Sequence, residues 1–256
     1  MNRRSFLAFG AAGTAGLFHA TRALAQGRAR SGAPPVAVPA GPSGDEIPYG
    51  ETRMKLDDDD RQGTVYVPKA YKHGSPRPIL MMLHGFNGSA DSARRMQPLA
   101  EELGMVLVAP ESRDLTWGQS APGFDPDSKY LGAALRAVTG YLDVDRKHVA
   151  IGGISDGATY AFSMGLAYGD VFSHVVIFSE GIPIPYRKQG KPKIFIGHGI
   201  NDVQMPIDRT SRRFVPQLRS EGYDITYREY EGGHGPPMAI IREGFTWFAG
   251  EPAAKP

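Results

Sequence analysis

Short apolar runs recur along the chain between residues 79 and 196. Each is four or five residues long, which suits strands buried on both faces, as in a parallel sheet. These runs are 79–83, 105–109, 148–151, 174–178 and 193–196. A further extended run, 225–230, follows them and predicts a last strand.

Segments with helical spacing separate these runs. Pro206 suits the first turn of one of them, whereas Pro216 should kink or split that same helix. The predicted helices are 93–103, 130–142, 158–168, 206–220 and 237–248. Strands that alternate with helices predict an α/β fold, with a mostly parallel central sheet and helices on both faces.

Two extended runs, 52–56 and 62–68, precede this alternation and flank the acidic run 57–60. Their spacing predicts a hairpin. The four consecutive aspartates lack the spaced ligands and the glycine of a calcium loop, so they are interpreted as a solvated acidic turn.

The first fifty residues have the composition of segments outside the folded core. Residues 1–25 contain the pair Arg3-Arg4, an apolar stretch rich in glycine and alanine, and a cleavage-type sequence of small residues at 23–25. This segment resembles a bacterial twin-arginine export signal and is too short and glycine-rich for a stable membrane span. Residues 26–50, with five prolines and five glycines, predict a disordered linker, leaving 51–256 as one domain.

Charge and cysteine content exclude several function classes. Without residues 1–25, which carry three arginines and no acid, the formal charge changes from +2 to −1. Nothing then favours nucleic acid or an anionic membrane as a partner. The absence of cysteine excludes thiol catalysis, thiolate metal sites and disulfides.

The sequence Gly153-Ile-Ser155-Asp-Gly157 lies between a predicted strand and a predicted helix. This G-x-S-x-G pattern is typical of a sharp turn that exposes a nucleophilic serine hydroxyl above the sheet. Flanking glycines avoid clashes with the neighbouring elements. A glycine-rich turn with a capping serine is the alternative reading of the pentapeptide alone.

A serine nucleophile needs a base and an orienting carboxylate, which in this arrangement follow it in the order acid, then histidine. Of the three histidines after Ser155, His234 lies in a glycine-rich loop after the last strand, whereas His174 begins an apolar run and His198 follows a strand. Asp202 lies just past the strand 193–196, and Asp208 is its rival. Ser155, Asp202 and His234 are therefore the predicted catalytic residues.

Loops after the other strands supply the rest of the predicted site. The sequence His84-Gly-Phe86 follows the first central strand, and we assign the backbone N–H groups of Phe86 and Asp156 to an oxyanion hole. Trp117 and Phe124 lie in a segment that interrupts the alternation, so they are candidate substrate-binding residues, with plain loop packing as the alternative.

Together these motifs resemble α/β-hydrolase-fold serine esterases, especially the small phospholipase/carboxylesterase group and exported polyhydroxybutyrate depolymerase-like or feruloyl esterase-like proteins. The likeness extends from about residue 66 to 248 and rests on four loops in matching order. It implies an α/β-hydrolase fold and hydrolysis of carboxylic esters through an acyl-enzyme, without metal or organic cofactor.

The implied partners are a small or oligomeric ester, the twin-arginine export machinery and a signal peptidase. The expected location is the periplasm or the outside of the cell. An amidase, peptidase or thioesterase would use the same catalytic residues, and a non-catalytic binding protein on this scaffold is the alternative from another class.

Overall fold

The computed structural model describes residues 47–56, 59–118 and 126–250. The predicted export signal, most of the predicted linker and residues 251–256 lie outside this range. The end of the predicted linker belongs to the folded part, because Ile47 packs against the core and the first strand begins at Gly50. No helix of the described ranges is both long and apolar enough to cross a membrane.

In the part of the chain that the structure describes, eight strands form one sheet in the order β1-β2-β4-β3-β5-β6-β7-β8. Strands β1 and β2 form the predicted hairpin, β2 pairs antiparallel with β4, and all further pairs are parallel. The strands are β1 (Gly50–Leu56), β2 (Asp59–Val67), β3 (Arg77–Leu83), β4 (Val106–Ala109), β5 (Val144–Ile154), β6 (His174–Phe178), β7 (Lys193–Gly199) and β8 (Ile225–Tyr230). The mostly parallel sheet predicted from the apolar runs is thus confirmed.

Among the described residues, four α-helices lie between strands and a fifth follows β8. They are α1 (Gln97–Leu103), α2 (Pro126–Thr139), α3 (Asp156–Ala167), α4 (Ser211–Ser220) and α5 (Met238–Ala249). A 3₁₀ segment, Ala90–Met96, replaces the beginning of the predicted first helix, and another, Ile207–Arg209, precedes α4. The helices follow the predicted order, with ends displaced by a few residues.

The core consists of two apolar layers separated by the sheet. In β3, Ile79, Met81 and Leu83 belong to one layer, whereas Leu80 and Met82 belong to the other. Helices α2, α3 and α4 cover the first layer, and α1 and α5 cover the second. Because successive side chains of a strand point to opposite faces, a continuously apolar strand fills both layers.

The segment predicted as a single helix over 206–220 is divided at Thr210 rather than at Pro216. Thr210 has φ −119° and ψ −106°, outside the helical region, and Pro216 is accommodated inside α4. The break directs the first residue of α4, Ser211, into a fully buried position. Tertiary packing therefore decides where this helix begins.

Candidate active site

Ser155 lies at the sharp turn between β5 and α3. Its dihedral angles, φ 58° and ψ −123°, are rare for a residue with a side chain, and such strain is common at functional positions. The backbone is held there by a hydrogen bond from the Ser155 N–H to the Phe178 carbonyl (3.0 Å). A Cβ on Gly153 would lie 2.4 Å from the Gly157 carbonyl carbon, so this turn excludes larger residues.

The imidazole of His234 lies between Ser155 and Asp202. Its Nδ1 is 2.8 Å from Asp202 Oδ2, and its Nε2 is 2.7 Å from Ser155 Oγ. Because an ionised carboxylate only accepts hydrogen bonds, Nδ1 carries the ring proton and Nε2 accepts from the serine hydroxyl. The three predicted catalytic side chains are thus brought together in one hydrogen-bonded series.

Main-chain hydrogen bonds join the loop that carries Asp202 to the loop that carries His234. The Ile200 N–H donates to the Tyr230 carbonyl (3.0 Å), and the Asn201 N–H donates to the Gly232 carbonyl (2.9 Å). The distance between the carboxylate and the imidazole is therefore set by rigid backbone contacts rather than by side chains alone.

The side chain of Asp202 is buried and accepts several hydrogen bonds. The N–H groups of Gln204 and Met205 donate to its Oδ1 (2.9 Å each), and His234 donates to its Oδ2. Burial alone would raise the pKa of Asp202, but these hydrogen bonds hold it below the ordinary value. The rival candidate, Asp208, is exposed and forms an ion pair with Arg212, away from this series.

The loop after β3 is fixed beside Ser155. His84 Nδ1 donates to the Gly85 carbonyl (2.8 Å), and its Nε2 accepts from the Ser112 N–H (3.1 Å), so His84 holds the loop. A Cβ on Gly85 would lie 3.4 Å from Ser155 Cβ, which shows how close this backbone passes to the serine. Phe86 follows in the same loop with an exposed side chain.

Of the two candidate substrate-binding aromatic residues, only Trp117 belongs to the described ranges. Trp117 is only 1% exposed, its Nε1–H donates to the His84 carbonyl (2.8 Å), and its ring stacks on Tyr160. In this conformation it supports the loop after β3 and presents no surface to a ligand, which matches the packing alternative. Phe124 lies outside the described residues.

A cavity of about 340 Å³ adjoins Asp156, the residue that follows Ser155. Most of its wall is apolar, and Arg209 and Asp156 provide its charged groups. Helix α3, the segment after β6 and the segment before α4 form it, with Tyr160, Ile182, Ile184, Met205 and Pro206 among its lining residues. This cavity was not predicted from the sequence, although the alternation Ile182-Pro-Ile184-Pro after a predicted strand was a visible signal of an exposed apolar segment.

Two hydroxyl side chains of α3 fix the segment that forms one wall of the cavity. The Gly181 N–H donates to Thr159 Oγ1 (2.7 Å), and the Ile184 N–H donates to Ser163 Oγ (2.9 Å). The backbone that carries the exposed side chains of Ile182 and Ile184 is therefore fixed against α3. Within the described ranges, no group of three His, Asp or Glu side chains is arranged to hold a metal ion.

Several solved structures that share this fold are named as esterases or related hydrolases. The S-formylglutathione hydrolase FrmB from Staphylococcus aureus is 17% identical, with a TM-score of 0.65 over 78% of this chain and 98% of that one. Esterase 2 from Thermogutta terrifontis is 18% identical, with a TM-score of 0.63 over 81% of this chain and 97% of that one. A ferulic acid esterase is 20% identical, with a TM-score of 0.61 over 78% of this chain and 95% of that one. These likenesses establish the α/β-hydrolase fold that the motifs implied.

A relative found by sequence comparison is also named as an esterase. A protein of Nocardia uniformis subsp. tsuyamanensis, named "Putative esterase NocK", is 29% identical over 164 residues. The match covers 56% of this chain and 48% of that protein, so this chain aligns with about half the length of its relative. No protein-family profile matches the chain.

Proposed function

We propose that this protein is a serine hydrolase that cleaves carboxylic esters through an acyl-enzyme, with Ser155 as nucleophile, His234 as base and Asp202 as the orienting acid. The observation that carries the proposal is the pair of distances at His234, 2.7 Å to Ser155 Oγ and 2.8 Å to Asp202 Oδ2. The esterase names of the structural neighbours and of the Nocardia relative support the same activity.

The proposed reaction proceeds by two acyl transfers. His234 Nε2 takes the hydroxyl proton as Ser155 Oγ attacks the ester carbonyl, and the resulting imidazolium then protonates the departing alcohol. Water attacks the acyl-enzyme with His234 again as base, which releases the acid and restores Ser155. Asp202 remains ionised throughout and stabilises the imidazolium that forms twice in each cycle.

The oxyanion of each tetrahedral intermediate is assigned to the backbone N–H groups of Phe86 and Asp156. Asp156 is the first residue of α3, so its N–H has no carbonyl partner within the helix and lies at the positive end of the helix dipole. Removal of one such donor typically costs about 3 kcal/mol of transition-state stabilisation.

The apolar cavity between α3, the segment after β6 and the segment before α4 is assigned to the acyl or alcohol group of the substrate. Its size and apolar wall favour a medium-sized apolar or aryl group over a large polar one. Several exposed apolar side chains follow the same carboxyl-terminal edge of the sheet: Phe86, Leu115, Ile182, Ile184, Val203 and Met238. They favour substrates with apolar surface beyond the cavity.

Hydrolysis of p-nitrophenyl acetate and butyrate by the wild type and Ser155→Ala tests this proposal. We expect the wild type to prefer butyrate and the variant to lose about 10⁴-fold or more in kcat. Equal activity of the two proteins would contradict it. Matched amide and thioester substrates measure whether the ester is preferred, since a thioesterase is the second candidate suggested by the S-formylglutathione hydrolase neighbour.

We further propose that residues 1–25 direct twin-arginine export and that the domain acts in the periplasm or outside the cell. The supporting observation is the pair Arg3-Arg4 ahead of the apolar stretch. Replacing both arginines by lysine should retain the protein in the cytoplasm, as measured by cell fractionation. Unchanged export would contradict the assignment.

A further inference from the structure

A buried cluster of polar side chains adjoins Asp202 and takes no part in the proposed reaction steps. It consists of His198 at the end of β7, Glu180 after β6 and Ser211 at the start of α4. All three residues are 0% exposed. Burial of ionisable groups is costly unless their charges and hydrogen bonds are matched, so the arrangement of protons within the cluster can be derived from its contacts.

The partners of the His198 ring determine where its protons lie. Nε2 is 2.8 Å from the Met205 carbonyl oxygen and 3.2 Å from Asp202 Oδ2, and both of these atoms are acceptors, so Nε2 carries a proton. Nδ1 is 2.7 Å from Ser211 Oγ. With Glu180 ionised, Ser211 donates its only hydroxyl proton to Glu180 Oε1, and the hydroxyl oxygen then accepts from Nδ1. Both ring nitrogens then carry protons, which makes the ring an imidazolium.

Glu180 supplies the matching negative charge. Its Oε1 is 3.5 Å from His198 Nδ1, and its Oε2 has no hydrogen-bond partner among the residues that the structure describes. The preceding residue, Ser179, has φ 53°, a left-handed conformation that is strained for a residue with a side chain. A strained backbone thus delivers a carboxylate into the core beside a cation.

We propose that His198 is an imidazolium, neutralised by Glu180, that acts as a positioning residue for Asp202 and through it for His234. The role in positioning rests on the proposed function. The charge itself rests on the hydrogen-bond geometry around an ionised Glu180 and is independent of any activity. The alternative arrangement, with a proton transferred through Ser211 to make both Glu180 and His198 neutral, is an outcome that the test below distinguishes.

The effect of the surrounding groups on the pKa of His198 favours a charged ring. Burial alone would lower the pKa of His198, but hydrogen bonding and the charge of Glu180, together with Met205 and Asp202, hold it above the ordinary value. The pKa of Glu229 is lowered chiefly by Arg212, with a contribution from the charge of His198.

Two tyrosines of β8, Tyr227 and Tyr230, are further titratable groups near the cluster. Burial raises the pKa of both Tyr227 and Tyr230, and the charge of Glu180 raises it further.

The cluster affects the reaction through the orientation of Asp202. Met205 is held from both sides, since its N–H donates to Asp202 Oδ1 and its carbonyl accepts from His198. The imidazolium therefore fixes the turn that carries the catalytic carboxylate. Glu180 offsets the positive charge that His198 would otherwise place near His234 when that ring takes the proton from Ser155.

The imidazole N–H resonances of the ¹⁵N-labelled full chain at pH 7.5 test the charge of His198. We expect two ring N–H signals from His198 and one from His174, whose pKa burial lowers to about 4 and which serves as a neutral buried control in the same spectrum. The variants His198→Gln and His174→Gln assign the signals. A single ring N–H from His198 would overturn the charged arrangement.

Kinetics of His198→Gln and Glu180→Gln on p-nitrophenyl butyrate test the positioning role. For His198→Gln we expect kcat to fall roughly 10- to 100-fold with KM within about twofold, because the carboxylate is displaced while the cavity is retained. Glu180→Gln should lower kcat and remove one His198 ring N–H signal. An unchanged kcat in folded His198→Gln would overturn the role. A wild type inactive on every ester would overturn the proposed function and the positioning role, whereas two N–H signals would still establish the charge.

Discussion

Replacement of Gly157 by alanine tests whether the backbone of the turn after Ser155 must touch the loop after β3. A Cβ at this position would lie 2.3 Å from the His84 carbonyl oxygen and 2.5 Å from the Leu83 carbonyl oxygen. Ordinary van der Waals contact begins near 3.4 Å, so the two backbones must separate by about 1 Å. Neither contact involves a flexible side chain, and the His84 carbonyl also accepts the Trp117 hydrogen bond.

This separation has two measurable costs. Overpacking of this kind destabilises a core by about 1–3 kcal/mol. A displacement of about 1 Å moves the Phe86 N–H relative to Ser155 and should reduce kcat about 100-fold. Urea unfolding and hydrolysis of p-nitrophenyl butyrate measure the two effects. Gly235→Ala is the matched control, since a Cβ there meets nothing within 4 Å. Activity of Gly157→Ala within twofold of the wild type would refute the reasoning.

Three further substitutions test other parts of the molecule. Ser163→Ala removes the acceptor of the Ile184 N–H, a hydrogen bond worth about 1 kcal/mol. The KM for butyrate esters should therefore rise about fivefold with kcat retained. A fall in kcat alone would count against the assignment of the cavity to the substrate. Asp202→Asn should lower kcat about 10⁴-fold in the same assay while the exposed Asp208→Asn leaves it unchanged, and equal effects would contradict the assignment of the acid. Because burial lowers the pKa of His174 to about 4, below its unfolded value, protonation favours unfolding, and stability is lost as pH falls from 6.5 towards 4. Between pH 7.5 and 5, the unfolding free energy of His174→Phe should fall by about 2 kcal/mol less than that of the wild type, as measured by urea unfolding. An identical fall in the two proteins would contradict this.

The alternation of strands and helices along the chain and the three catalytic candidates could be predicted because their signals are local or follow from topology. The pattern around Ser155 predicts a strand, a turn and a helix in sequence. His234 and Asp202 follow later strands, and the carboxyl ends of parallel strands meet at one edge of the sheet. No detailed packing is needed for these inferences.

Other features depend on contacts that no local pattern contains. The cavity is formed by three separate segments, and the partner of the Trp117 indole is a main-chain carbonyl 33 residues away along the chain. The first turn of α4 begins at Ser211 because that side chain bonds with Glu180 and His198 in the core. Glu180 itself follows a strand like many surface acids, and only the fold shows it to be buried.

Covalent labelling tests the central claim most directly, because it reports which atom is the nucleophile. A fluorophosphonate should phosphonylate the intact protein once, on the peptide that contains Ser155, and Ser155→Ala should take no label. His234→Gln, which removes the proposed base, should label far more slowly than the wild type. An adduct on another residue, or equal labelling rates for the wild type and His234→Gln, would contradict the account.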